Sequence, residues 1–203
     1  MKKSLDKLIK GYAEFRKKYT AGDNSVMQTL SDHGQHPEAM VVSCCDSRVD
    51  PALILQCDPG DLFITRNVAN IVPPYEADGK HHGTSAALEF GICYLNVKHL
   101  IIWGHSQCGG IHGLLNRESL TQDDFISNWV NIIKPDNTDT TTSVDACAKA
   151  SLKYSHKNCL SFPWIKSRVE NHTLAIHLWF FDIKTGQIFN YDAEKDAYLP
   201  LSQ

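Results

Sequence analysis

The run Leu100-Ile101-Ile102-Trp103-Gly104 is apolar without interruption and is followed at once by His105-Ser106-Gln107-Cys108-Gly109-Gly110. A strand with no polar alternation is buried on both faces, which is the condition of a central strand in a parallel sheet. Two further β-type runs end in the same manner. Ala39-Met40-Val41-Val42-Ser43 leads into Cys44-Cys45-Asp46-Ser47-Arg48, and Leu62-Phe63-Ile64-Thr65 leads into Arg66-Asn67-Val68-Ala69-Asn70. In open α/β sheets, ligands bind in the crevice outside the carboxyl ends of the strands. Three apolar strands that each end in reactive residues therefore restrict both the fold and the place of its chemistry.

Helical periodicity fills the intervals. Over residues 4–19 the apolar positions are Leu5, Leu8, Ile9, Tyr12, Phe15 and Tyr19, spaced by threes and fours, with Lys and Arg on the other face. This predicts an amphipathic helix ended near Gly22 and Asp23. It precedes every core strand, so residues 1–22 are predicted to form an arm whose stripe is covered by a partner subunit. A short helix is predicted at Ser25–Leu30 and a longer one from Thr84 to Leu95. Further helices are predicted near 109–116, 122–133, 143–158 and 161–169, with a polar linker from Pro135 to Thr142. Thr173 to Phe181 reads as the last major strand, and Thr185-Gly186 turns it into Gln187–Tyr191 as a hairpin. The predicted fold is α/β, a mostly parallel central sheet flanked by helices, with an N-terminal helical arm and a C-terminal antiparallel hairpin. With 203 residues, 42% of them hydrophobic, the chain suits a single domain over 1–203.

Charge excludes some partners. Twenty Lys and Arg against 23 Asp and Glu give −3, unlike the basic footprint of a nucleic-acid binder. No stretch is long and apolar enough to span a membrane. Met1 to Phe15 lacks the apolar core of a secretory signal, so a cytoplasmic protein is expected. The seven cysteines are an odd number, which favours reduced thiols over a disulfide framework. Cys57, Cys93, Cys147 and Cys159 are expected to act as small buried hydrophobes.

The chemistry centres on His105 and Cys108, three positions apart at a strand-to-helix turn. Imidazole and thiolate together suit Zn²⁺. Cys44 ends a neighbouring strand, about 4.8 Å away in a parallel sheet, and its thiolate can reach the same metal. Cys2His is the protein set of a catalytic zinc site with one open position. Cys45 faces the other way on extended backbone and is expected to be a buried thiol on the far side. Asp46 has two readings. It is a fourth ligand, or it is held ionised by Arg48 and accepts a hydrogen bond from water at the open position. Gly109 and Gly110 leave backbone N–H groups open to an anion. Arg66 is expected in an internal ion pair, with Asn67 and Asn70 tying loops. His81 and His82 are surface or interface residues, with proton transfer a minor alternative. The remaining histidines outside the site are expected to be structural.

The set Cys44-x-Asp46-Ser47-Arg48, Arg66-Asn67-Val68-Ala69-Asn70, Gly83-Thr84-Ser85-Ala86 and Gly104-His105-Ser106-Gln107-Cys108-Gly109-Gly110 resembles the β-class carbonic anhydrases. The likeness runs from about Gln35 to Leu115. It implies zinc-dependent reversible hydration of CO2 to bicarbonate, with one Zn²⁺ per subunit on Cys44, His105 and Cys108. It implies Asp46 and Arg48 as the catalytic pair. Gln35 reaches the substrate cleft, Phe63 and Val68 line an apolar CO2 pocket, and the Gly109 N–H faces bound substrate. Phe90 falls where plant-like members carry a tyrosine. The cleft is shared between subunits, so a homodimer is the implied minimal unit, with tetramers or larger assemblies open. One branch of the family binds bicarbonate non-catalytically through a tryptophan and a glycine; here those positions are Val41 and Ser43, which favours the branch with an open zinc site. Two rival readings remain: hydrolysis of CS2 or COS on the same scaffold, and a non-catalytic zinc module closed by Asp46.

Overall fold

The computed structural model describes residues 2–78, 80–116, 124–133 and 143–201. Strands β1 (Ala39–Cys44), β2 (Leu62–Asn67), β3 (His99–His105), β4 (Ala175–Asp182), β5 (Gln187–Asp192) and β6 (Ala197–Pro200) form one sheet in the order β2-β1-β3-β4-β5-β6. β2, β1, β3 and β4 are parallel, and β5 and β6 are antiparallel additions. The chain passes from β1 to β2 on one side, then back to β3 on the other. The strand order thus reverses at β1, and the crevice lies where β1 and β3 end together.

The helices are α1 (Lys2–Tyr19), α2 (Val26–His33), α3 (Pro51–Ile54), α4 (Gly83–Glu89), α5 (Gly109–Leu115), α6 (Phe125–Val130), α7 (Val144–Cys159) and α8 (Pro163–Glu170). Their starts follow local rules. Ser25 and Ser143 cap α2 and α7 through their hydroxyls, and Asp50 caps α3 ahead of Pro51. Two glycines set how closely helices approach the sheet. A Cβ on Gly91 would lie 2.6 Å from the Met40 sulfur and 3.1 Å from the Phe63 ring, and one on Gly104 would lie 3.3 Å from Leu152 of α7. The core beneath is dense, with Met40, Leu88, Ile92, Leu100, Ile102, Trp103, Leu152 and Phe162 among the fully buried side chains.

The sheet, the N-terminal helix and the hairpin agree with the sequence reading. Several details differ. The helix predicted to Leu95 is regular only to Glu89. Phe90–Tyr94 then widens into a π-type turn in which the Leu95 N–H reaches the Phe90 carbonyl. β6 is not anticipated by the sequence reading, because its four edge residues, three half-buried and one exposed, carry no clear alternation. The linker predicted from Pro135 to Thr142 lies outside the described residues, as do residues 122–123 of the helix predicted from 122. The cysteines separate by position. Cys147 and Cys159 are buried, Cys57 is half-buried, and Cys93 is exposed on the widened turn. Cys45 is exposed rather than buried, because β1 ends at Cys44 and the next residue lies beyond the layer that covers the sheet.

Candidate metal centre and active site

Cys44 is the last residue of β1, His105 is the last of β3, and Cys108 immediately precedes α5. The two sulfurs are 4.0 Å apart. Together with the imidazole of His105 they form a buried group whose ligand atoms all lie within 4.8 Å of one another. His105 Nδ1 is 2.9 Å from the Ser106 carbonyl, which can only accept, so the ring donates there. That tautomer leaves Nε2 with a bare lone pair, and this fully buried atom has no hydrogen-bond partner among the described residues. An orphaned imidazole nitrogen facing two sulfurs is the donor set of a tetrahedral Zn²⁺ site, and the residues fit that metal.

The sulfurs are electrostatically linked. Their mutual hydrogen bond pulls the Cys44 thiol well below its ordinary value and pushes Cys108 well above its own. Two adjacent buried thiolates repel each other, and a cation between them would allow both to ionise. Backbone amides support each sulfur. The amides of Asp46 and Ala69 favour the thiolate of Cys44, and those of Gly110 and Ile111 favour that of Cys108.

Asp46 stands beside this group but outside it. Arg48 donates from Nε at 2.9 Å and from Nη2 at 2.7 Å to its two oxygens, and the Arg48 backbone N–H adds a bond of 2.9 Å. The guanidinium holds the carboxyl well below the usual carboxylate range. Arg48 Nη2 also reaches the Gln107 carbonyl at 3.3 Å, joining the loops after β1 and β3. Arg66 is the second staple. It bonds the carbonyls of Cys44 and Asp46 at 2.8 and 2.7 Å and pairs with Asp50 at 2.8 Å.

The turn after β2 is tightly determined. Asn67 accepts from the Ile71 N–H at 2.8 Å and donates to the Ile71 carbonyl and to Thr84 Oγ1. Ala69 and Asn70 both take left-handed backbone, with φ of 62° and 48°. A Cβ on Gly110 would stand 2.7 Å from Val68 Cγ1 and 3.0 Å from Ala69 Cβ, so only glycine fits against this turn. Gly109, one residue earlier, faces open space.

The predicted pocket residues each have identifiable neighbours. Val68 lies against Gly110, close to Cys108. Phe63 and Phe90 pair with ring centroids 5.7 Å apart, and Phe90 stacks on exposed Tyr94. Gln35 is exposed between α2 and β1, and no described contact ties it to the Cys–His–Cys group. His82 bonds Asp78 at 2.6 Å at the start of α4, and with Glu76 they form a second, more exposed group already engaged by Lys80.

Sequence reasoning missed several supporting residues. Trp129 of α6 donates to the Val68 carbonyl at 2.7 Å. Asp145 of α7 accepts from the Gln107 N–H at 2.7 Å, and the Ser106 hydroxyl accepts from the Ile183 N–H at 2.9 Å. Only Asp145 carried a signal, as an acid in the first turn of a capped helix.

This geometry agrees with comparisons to known proteins. The carbonic anhydrase family model matches residues 39–188. A carbonic anhydrase from Synechocystis sp. is 34% identical over 198 residues, covering 93% of this chain and 71% of that protein. The structure of the β-carbonic anhydrase CcaA superposes with a TM-score of 0.89 at 31% identity, covering 99% of this chain and 93% of that one. A tetrameric β-carbonic anhydrase from Sordaria macrospora superposes at 0.70 with 28% identity, covering 92% and 93%. The chain belongs to the β-carbonic anhydrases, lyases that hydrate carbon dioxide.

Proposed function

We propose that this protein catalyses the reversible hydration of CO2 with one Zn²⁺ per subunit held by Cys44, His105 and Cys108. The observation that carries this reading is the bare Nε2 of His105 facing two sulfurs, with an ionised Asp46 beside them. Zinc bound there supplies Lewis acidity, which makes a nucleophile of water near neutral pH.

The rest falls to the chain's own residues. Asp46, locked by Arg48, accepts a hydrogen bond from the attacking water and turns a lone pair toward the substrate. Because both carboxylate oxygens already bond Arg48, the pair supports the open-site reading over Asp46 as a fourth ligand. CO2 is neutral and linear and needs an apolar pocket rather than a charged anchor; Phe63, Val68 and Phe90 provide it. The Gly109 N–H, with no side chain in front of it, receives an oxygen of the nascent bicarbonate. Gln35 joins from a partner subunit.

A homodimer is the minimal unit in this reading. The apolar stripe of α1 supports it, since Leu5, Leu8, Ile9 and Tyr12 are each more than half exposed on this chain. All seven cysteines are free thiols, which supports a reducing, cytoplasmic setting, and none of the described helices is long and apolar enough to cross a membrane.

Stopped-flow CO2 hydration by Asp46→Asn tests the mechanism. The variant is expected to keep its zinc and to lose most of its hydration rate at neutral pH. A wild-type rate with zinc in place would remove Asp46 from the reaction.

A further inference from the structure

His99 is the first residue of β3, and His177 lies within β4, the strand hydrogen-bonded beside it. The register pairs His99 with Ala175 and Ile101 with His177, so the two histidines are diagonal neighbours on one face of the sheet. His99 Nδ1 is 3.1 Å from His177 Nε2, and the ring centroids are 5.2 Å apart. Neither ring has another hydrogen-bond partner among the described residues.

Two nitrogens at this separation fit two arrangements. One is a single N–H···N bond. The other is a pair of bare lone pairs converging on one cation. At a metal–nitrogen distance of about 2.0–2.1 Å, two ligands of a tetrahedral ion stand about 3.3 Å apart. Several features favour the cation. Burial, with the charge of His99, holds His177 below its ordinary value, which keeps its imidazole in the neutral form that ligates. His99 is exposed, so further coordination positions are open to water. Both strands are interior to the sheet, so their backbones hold the two nitrogens at this spacing before any ion arrives. Lys98, the residue before His99, is paired with Glu38.

The pair is separate from the Cys–His–Cys group. β3 carries His99 at one end and His105 at the other. Six residue steps at about 3.3 Å each put about 20 Å of strand between them.

We propose that His99 and His177 form a second metal site, which takes a first-row transition cation that prefers imidazole nitrogen, with water completing its coordination. This inference stands apart from the CO2 reading, and its failure would leave that reading untouched.

The test uses the full chain, saturated with Zn²⁺, freed of excess and then titrated with NiCl2 in a calorimeter. About one further Ni²⁺ per chain is expected, since nickel also accepts imidazole. In His99→Gln and in His177→Gln the binding is expected to weaken by at least about tenfold, the loss that even supporting residues of metal sites show. His82→Gln, which removes the imidazole of the Glu76–Asp78–His82 group, is expected to bind Ni²⁺ as the wild type does. Binding unchanged in either pair variant, or lost in His82→Gln, would overturn the proposal. The wild type gives an answer that needs no variant. Trp179 stands next in the same row, with its ring centroid 6.5 Å from that of His177. Substoichiometric Ni²⁺, being paramagnetic, is expected to broaden the indole NMR signal of Trp179 before those of Trp129 and Trp164. Broadening that spares Trp179, or no uptake of Ni²⁺ at all, would leave His99 and His177 a hydrogen-bonded pair and refute the site.

Discussion

Arg48 grips Asp46 by both carboxylate oxygens, at 2.9 and 2.7 Å, while the Nη2 that makes the shorter bond also reaches the Gln107 carbonyl on the loop that carries Cys108. The carboxylate proposed for catalysis is thereby fixed in charge and in direction, and the loops after β1 and β3 are bound to each other. A fork of this kind is specific to arginine, because a lysine offers one point charge in place of two parallel donors.

The first prediction concerns pH. Asp46 is depressed in the folded chain by Arg48, below an unfolded value near 3.8. A depressed carboxylate contributes stability that is fully present above its unfolded value and is lost as pH falls through its folded value. The pair should therefore contribute a constant amount from pH 7 to about 5 and fade below about 4. Urea unfolding of wild type and Arg48→Ala across this range is expected to show a difference that holds above pH 5 and narrows in more acid solution. A difference that grows toward acid pH would contradict this.

Gly109 and Gly110 supply a second prediction from adjacent positions. Alanine at 110 meets Val68 and Ala69 at 2.7 and 3.0 Å, whereas alanine at 109 meets nothing within 4 Å. Overpacking of this kind costs about 1–3 kcal/mol, so Gly110→Ala is expected to lower the unfolding midpoint by about 2–12 °C. Gly109→Ala is expected to stay within about 2 °C of wild type and to raise KM for bicarbonate. Calorimetry of the two variants, with dehydration kinetics on Gly109→Ala, checks both statements.

The Cys–His–Cys group was legible in the sequence because Cys44 and His105 each end a strand and Cys108 follows three residues later at the turn into α5. An apolar run gives the strand, its last residue gives the position, and parallel pairing brings two such ends together. Asp46 and Arg48 were legible for the same reason, being two residues apart just past β1. The support behind them was not. Trp129 and Asp145 come from α6 and α7, tens of residues away in the chain, and reach the site only through tertiary packing. Ala69 also gave no warning of its positive φ, since alanine rarely adopts it, whereas Asn70 is of a type that visits left-handed backbone. Cys45 shows the limit of strand alternation, which holds only while the strand continues.

The arm yields a third prediction. Lys18 and Tyr19 bond Asp58, anchoring the end of α1 to the body, while the stripe from Leu5 to Tyr12 is exposed. Deleting residues 1–22 is expected to reduce the assembly's mass in size-exclusion light scattering. An unchanged mass would mean that the stripe has no role in association.

The central claim is that Cys44, His105 and Cys108 hold a zinc ion on which CO2 hydration depends. Zinc content and stopped-flow hydration, measured on one preparation before and after chelation and again after zinc is restored, test it most directly. The account predicts about one zinc per chain at the start, loss of hydration in step with the metal, and recovery on its return. Full hydration in the metal-free chain, or no stoichiometric zinc in an active preparation, would contradict it.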